Sequence, residues 1–538
     1  MKKLVSRFMA VLMAMTMILS MSMTAFAAEA SKGTLTVNNT VAEKTLDLYQ
    51  IFTATKNGEN VAYTLNSAYE GFFKNNTRIP GSESLTGEAL SEKAYEYVKT
   101  QVGEDGKNGT GFAKEILGWI LANADTVAAT HTIVTTTANT TVIRDLAYGY
   151  YVVYPLGATD TSAAPGEQDY TSVASLVSVT GDTSINMKSN YPTVVKKVND
   201  KTADDVNIGD TVTYTLTSKV PDMTGYTSYV FNFKDTLSAG LTFKEITSVT
   251  VGETTITKVD AGQEANDTYT LTQTGQNITI TMNNFLASNA NKVGQEIKVT
   301  YTVTLNKDAV TGFDANKNSA TVEYSNKPGT DNKGESEPSI VDVHTFNFTI
   351  FKYYLKGADK TGLANAEFEL YKANEAGDAA DENAKINIVD EGKGVYRQAT
   401  ADEAKVTGFT SAKIVSDDDG KVLVKGLDAG SYYLRETKAP EGYNKLLSDI
   451  KIEIKPVYDE TTGKLTSYSV DYTYNGTKTT GTAITSKDNS PEVAVENKTG
   501  AQLPSTGSKG ALMVTLAGIV LFGALTASKA FGKKKANN

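Results

Sequence analysis

Two lysines in this chain continue the apolar face of a strand. Val194, Lys196 and Val198 alternate onto one side, and Lys352 follows Phe346, Phe348 and Ile350 on another. Lys197, the neighbouring candidate, would face away from Val194 and Val198. A lysine carried into an apolar core is pushed toward its neutral form, because desolvation disfavours the ammonium. The neutral amine is a nucleophile. Near the far end, Leu503-Pro504-Ser505-Thr506-Gly507 precedes an almost uncharged apolar run over residues 510–527. That run is long enough to cross most of a bilayer as a helix. Lys529, Lys533, Lys534 and Lys535 follow it as a basic stop.

The opening of the chain agrees with this end. Residues 1–28 read as a secretory signal. Lys2, Lys3 and Arg7 precede an apolar stretch, and Ala25-Phe26-Ala27 has the small-x-small cleavage pattern. Formal charge is −10 over the whole sequence, and −18 once the eight basic residues of the two terminal segments are set aside. So acidic a chain argues against nucleic-acid binding, which needs a basic face. It suits a soluble, self-repelling surface protein. There is no cysteine, so disulfides do not staple it. The two histidines, His131 and His344, lie far apart, which disfavours Ser-His-Asp catalysis and a histidine metal site. No cofactor is expected. The run Asp417-Asp418-Asp419-Gly420 reads as a solvated hairpin tip, since no EF-hand loop surrounds it.

The elements that must position the lysines are strands. Thr211-Val212-Thr213-Tyr214-Thr215-Leu216, Ile278-Thr279-Ile280-Thr281-Met282 and Ile297-Lys298-Val299-Thr300-Tyr301-Thr302-Val303 alternate with period two between Gly, Asn and Asp turns. The fold class expected is mainly β, with three tandem immunoglobulin-like β-sandwich domains, the first with inserted helices. Residues 29–189 form the first domain, with amphipathic helices over residues 87–100 and 112–123 that cover its core. Residues 190–342 form the second and 343–498 the third; residues 499–538 hold the terminal signal. Leu146-Ala147-Tyr148-Gly149-Tyr150-Tyr151-Val152-Val153 resembles Leu427-Asp428-Ala429-Gly430-Ser431-Tyr432-Tyr433-Leu434, so the first and third domains are related sandwiches.

The five-residue motif, apolar span and basic tail resemble the cell-wall sorting signal of Gram-positive surface proteins. That resemblance implies a sortase that reads Leu503 and Pro504, cleaves between Thr506 and Gly507, and passes the Thr506 carbonyl to an amine. Tyr432-Tyr433-Leu434-Arg435-Glu436-Thr437-Lys438-Ala439-Pro440-Glu441-Gly442-Tyr443 fits the E-box of Gram-positive pilins, YxLxETxAPxGY, at each specified position. It resembles the Cna B-type sandwich, which implies an amide between a lysine of the first strand and an asparagine of the last, promoted by Glu436. Parity selects Lys352 and Asn497, the latter continuing the face of Val493 and Val495. In such a site a buried carboxyl donates to the asparagine carbonyl and shuttles the proton, and fixed proximity replaces a bimolecular encounter. Ammonia leaves. The alternative is a buried ion pair with no bond formed.

Residues 231–243, which include Asp235, resemble the D-x-L-P-x-G-L-T-F segment of fimbrial isopeptide-forming domains, with Ser238 in place of the proline. Residues 318–326 are similar to that family's final N-x-A-x-x-x-Y-S-N strand. The resemblance pairs Lys196 with Asn318 and gives Asp235 the acid role. The first domain has Asn39 and Pro155 where Lys352 and Glu436 would align, so no bond is expected there. Lys188 takes the place of the pilin-motif lysine, with Asn186 and Met187 where that motif has tyrosine and proline.

Together these features resemble the backbone subunit of a sortase-assembled pilus. That implies a structural protein and not an enzyme, secreted and anchored to the wall of a Gram-positive cell. Its partners would be a sortase, other copies of itself joined head to tail through Lys188, ancillary pilins and peptidoglycan. The alternative is an ancillary pilin or a monomeric wall-anchored adhesin, which needs no acceptor lysine. A secreted hydrolase is disfavoured by the scarcity of histidines and the lack of any clustered acid pair in a recognisable motif.

Overall fold

The computed structural model describes residues 31–103, 109–158, 173–187 and 190–499. The leader, Lys188, and the sorting segment with Leu503, Pro504, Thr506 and Gly507 lie outside the described residues. The chain divides into two compact units. One holds the residues up to Thr345 together with Tyr458–Leu465, and the other holds Phe346–Val457 and the residues from Thr466 onward.

The first unit is mainly β and contains two pairs of sheets. In the first pair, a three-stranded sheet is centred on Lys32–Asn38, between Thr140–Ala147 and Thr183–Asn186. Leu35, Val37 and Ile143 of that sheet pack with Leu46, Leu48, Tyr151 and Val153 of the other. The strand Thr45–Asn57 is buried on both faces over most of its first half. Its second face, carrying Tyr49, Ile51 and Phe52, lies under helices Gly87–Val102 and Gly109–Ala122. A strand covered on both sides needs a continuous apolar run and not simple alternation, which is why Leu46-Asp47-Leu48-Tyr49-Gln50-Ile51-Phe52 has so few polar positions. Both expected helices are present, with Leu90, Ala94, Val98, Phe112, Ile116 and Ile120 in the core. A short helical turn over Ser67–Tyr69 and Glu70–Phe73 also delivers Phe72 and Phe73 to it.

The second pair joins a five-stranded sheet to an eight-stranded one. Thr211–Lys219 and Glu296–Leu305 alternate buried and open residues, the signature of a sheet with one face on the core. They pair antiparallel, and Val195–Val198 forms the edge beside Thr211–Lys219. In the opposite sheet Phe231–Leu237 lies between Ile278-bearing Asn277–Met282 and Asn316–Ser325.

In the second unit a six-stranded sheet is built on Phe346–Lys356. It pairs antiparallel with Lys421–Leu427 and parallel with Glu492–Glu496. The partner sheet contains Glu367–Ala373, Gly430–Lys438 and Ile450–Tyr458. The turn before Lys421 is tight. The Asp417 carboxylate accepts the Asp419 and Lys421 amides at 3.1 and 2.7 Å. Gly420 sits at φ +75°, and its carbonyl accepts the Lys352 amide at 2.7 Å. A Cβ there would stand 2.2 Å from the Lys352 carbonyl oxygen and 2.6 Å from the Leu363 nitrogen. Gly420→Ala therefore combines left-handed strain with a backbone clash. It should lower stability by about 2 kcal/mol or more, read as a drop in the melting temperature of the second unit. An unchanged melting temperature would show that the turn relaxes freely.

Candidate functional site

Lys196 and Lys352 are the only fully buried lysines among the described residues, at 2 % and 0 % exposure. Lys197 points outward. The parity of each strand decides this. Val198 and Lys196 share the buried face of Val195–Val198, as do Phe346, Phe348, Ile350 and Lys352 in theirs. Within residues 31–187 no described lysine is fully buried, and Asn39 is exposed.

In the middle sandwich the site spans two sheets. Lys196 comes from the five-stranded sheet, where it pairs opposite Leu216. Asp235 and Asn318 come from the eight-stranded sheet, on adjacent strands. Lys196 Nζ donates to Asp235 Oδ2 and, at 2.5 Å, to the Tyr301 hydroxyl. Tyr301 donates to Asp235 Oδ2 at 2.6 Å and accepts from Asn318 Nδ2 at 3.0 Å. All four residues are buried. Asp235 Oδ1 and Asn318 Oδ1 have no hydrogen-bond partner among the described residues. Two buried acceptors without a protein partner in one site are unusual and call for an explanation. Asn316, two residues earlier on the same face, is by contrast tied up. It donates to the Val310 and Val343 carbonyls and accepts the Val310 amide.

In the second unit the site joins neighbours within one sheet to a group from the other. Lys352 pairs with Val495 across the parallel register, and the Asn497 amide donates to the Tyr353 carbonyl at 2.9 Å. Asn497 therefore arrives one step beyond the last strand with its side chain beside Lys352. Lys352 Nζ donates to Asn497 Oδ1 and lies 2.9 Å from Glu436 Oε1. Glu436 comes from the facing sheet and touches both partners, because Asn497 Nδ2 donates to Oε1 at 3.1 Å. The Leu446 amide fixes its other oxygen at 2.7 Å. The ring of Phe368 lies 5.6 Å from the amine.

Burial pushes Lys196 down to about 8, against the opposing pull of Asp235. Lys352 is pushed to about 8 by burial in the same way, with Glu436 opposing. Each amine is thus within reach of its neutral, nucleophilic form.

Tyr301 is the residue that the strand pattern did not single out. The alternation of Ile297, Val299, Tyr301 and Val303 already turns it inward. A buried tyrosine hydroxyl needs a partner, and that need is the signal that points to a polar group beneath it. Met187, the last described residue before Lys188, is buried in the first core at the end of Thr183–Asn186.

Residues 208–328 match the family described as Gram-positive pilin backbone subunit 2, Cna-B-like domain. Residues 353–469 match a SpaA prealbumin-like fold domain. The trypsin-resistant surface T6 protein of Streptococcus pyogenes serotype M6 is 27% identical over 349 residues, covering 58% of this chain and 53% of that protein. Fimbrial subunit type 2 of Actinomyces naeslundii is 29% identical over 279 residues, covering 49% and 50%. The chain thus spans about half the length of the curated relatives it matches. The solved T6 backbone pilin of serotype M6 Streptococcus pyogenes aligns at 16% identity and TM-score 0.47, over 88% of this chain and all of that one.

Asn318→Ala removes the carboxamide from the Lys196 site and tests the desolvation of the amine. The folded-state value near 8 lies below the unfolded value of about 10.4. Between the two, the unfolded chain holds the extra proton, so stability rises with pH across that window. Calorimetry of Asn318→Ala should show a gain on the order of 1–3 kcal/mol from pH 8 to about 10.4, relative to Lys196→Met/Asn318→Ala. A flat or falling difference would mean that the amine is solvated.

Proposed function

We propose that this chain, which matches a Gram-positive pilin backbone model over residues 208–328 and a prealbumin-like fold model over residues 353–469, is a covalently polymerised shaft subunit of a cell-surface pilus. A sortase would cleave between Thr506 and Gly507 and join the Thr506 carbonyl of one subunit to Lys188 of the next. Head-to-tail joining of unlike surfaces gives an open polymer. Ancillary pilins would be added to it, and the last subunit would be transferred to peptidoglycan. The chain is a structural substrate and not an enzyme with turnover.

We further propose that each of the two buried lysines forms an amide with its asparagine. The observation that carries this is the pair of trios, each a buried lysine, carboxyl and carboxamide, in two different sandwiches. At the second, the Lys352 ammonium gives a proton to Glu436, and the neutral amine attacks Asn497 Cγ. The carboxyl returns its proton to Nδ2 and takes the one left on Nζ, the C–N bond breaks, and ammonia departs. No co-reactant is needed. Held geometry supplies what an encounter in solution would lack.

Such bonds suit a load-bearing shaft built without cysteine. A Lys352–Asn497 amide ties the first strand of its unit to the residue after the last, so tension bypasses the strands between. It closes a loop with sequence separation 145. On the chain-entropy treatment of cross-links, a loop of that length is stabilised by about 5 kcal/mol.

Intact mass of the recombinant mature chain should fall short of the sequence mass by two ammonias, and Glu436→Ala should restore one. A mass equal to the sequence mass would remove the amide reading. In the wall, extracts should run as a ladder of high-mass species that collapses in a Lys188→Ala strain. A ladder unchanged by that substitution would move the acceptor to another lysine, and no ladder in the parent strain would favour a monomeric adhesin.

A further inference from the structure

The two trios are not built alike. Glu436 reaches both its lysine and its asparagine with one oxygen. Asp235, one methylene shorter, touches Lys196 but makes no hydrogen bond to Asn318 among the described residues. The gap is filled by the Tyr301 hydroxyl, which contacts Lys196 Nζ, Asp235 Oδ2 and Asn318 Nδ2 at once, at 2.5, 2.6 and 3.0 Å. Its ring is locked by a stacked Tyr214 at 5.4 Å, and the two tyrosines are register partners on neighbouring strands. Its hydroxyl therefore has little freedom to leave the site.

We propose that Tyr301 is a catalytic residue of the middle sandwich, relaying a proton between Asp235 and the leaving nitrogen of Asn318. This rests on reading the site as amide-forming.

The steps balance. The Lys196 ammonium passes a proton to Asp235 Oδ2, leaving a neutral amine and a carboxylic acid. The amine lone pair attacks Asn318 Cγ, and the carbonyl pair moves onto Oδ1. The hydroxyl then gives its proton to Nδ2 while taking one from Asp235, and Asp235 takes the surplus proton from Nζ. The Cγ–Nδ2 bond breaks, the carbonyl reforms, and ammonia leaves. The hydroxyl ends as it began, and Asp235 ends protonated. Tyr301 stays a neutral hydroxyl throughout, in keeping with the burial and the Asp235 charge that hold it well above the ordinary phenol range. Without the hydroxyl, Nδ2 must leave unprotonated or wait for water that the buried pocket excludes.

The test is Tyr301→Phe in the full mature chain, which keeps the ring and the stack. Intact mass is followed from harvest at intervals, on material that elutes as folded monomer. Asp235→Ala and Asn318→Ala serve as references that cannot form this bond. Tyr301→Phe should lose the ammonia of the third-domain bond at the wild-type rate and that of the middle bond at least about a hundredfold more slowly. Its melting temperature should match Asn318→Ala, and its near-UV spectrum should be native. Middle-bond formation at the wild-type rate in Tyr301→Phe, with Asp235→Ala blocked, would overturn the relay and leave the amide reading standing. No middle bond in the wild type would overturn the reading itself. If Tyr301→Phe loses its native near-UV spectrum, Tyr301→His supplies a hydrogen-bonding ring, and its failure to form any middle bond while folded would overturn the relay.

Discussion

An amine without water around it is the constraint on which this structure turns. Moving an ammonium from water into a core costs several kcal/mol even after relaxation. A fold that carries Lys196 or Lys352 inward must set a carboxylate against it, and both folds do. A buried ion pair is a weak stabiliser, because desolvation offsets the attraction. Conversion to a neutral amide would remove both charges at once. That makes the proposed chemistry also the energetic resolution of the site: the desolvated pair is the state from which the bond would form.

The two sandwiches meet the same demand with different geometry. In the middle one the lysine stands on an edge strand of one sheet, and the asparagine is interior to the other. A bond there would fasten sheet to sheet. In the second unit lysine and asparagine are neighbours across a parallel pair, and the acid alone comes from the facing sheet. A bond there would fasten the start of that unit to its end. The choice of acid follows from the reach required. Glutamate spans to both partners, whereas aspartate stops short and leaves the tyrosine hydroxyl to make the connection.

The amino-terminal sandwich solves a different problem. Its central strand Thr45–Asn57 is buried on two faces, one against a second sheet and one against helices. Its buried polar groups are neutral or hydrogen-bonded. Asp47, for instance, accepts from Thr132 at 2.6 Å. Its stability therefore depends on apolar packing and aromatic contacts, such as Phe72 against Phe73 at 4.9 Å. Packing of that kind yields locally under load more readily than a covalent tie.

Much of this was legible in the chain. Period-two alternation marked the strands, and the same parity turned Lys196 and Lys352 inward and Lys197 outward, because successive side chains on a strand must alternate. The helices over Gly87–Val102 and Gly109–Ala122 were readable from their apolar stripes. The motif around Glu436 marked an acid, since a resemblance of that length fixes which residue lies where on its strand. What the sequence could not decide was reach. Strand parity says which way a side chain points, but not which oxygen lies within hydrogen-bond distance of which nitrogen across two sheets. Only the tertiary structure seats Tyr301 between Asp235 and Asn318, leaves Asn318 Oδ1 without a partner among the described residues while Asn316 is tied, and sets Asn497 beside Lys352 through a parallel pairing of residues 145 apart. Those facts depend on inter-sheet spacing and register, which belong to the packed sandwich and to no single strand.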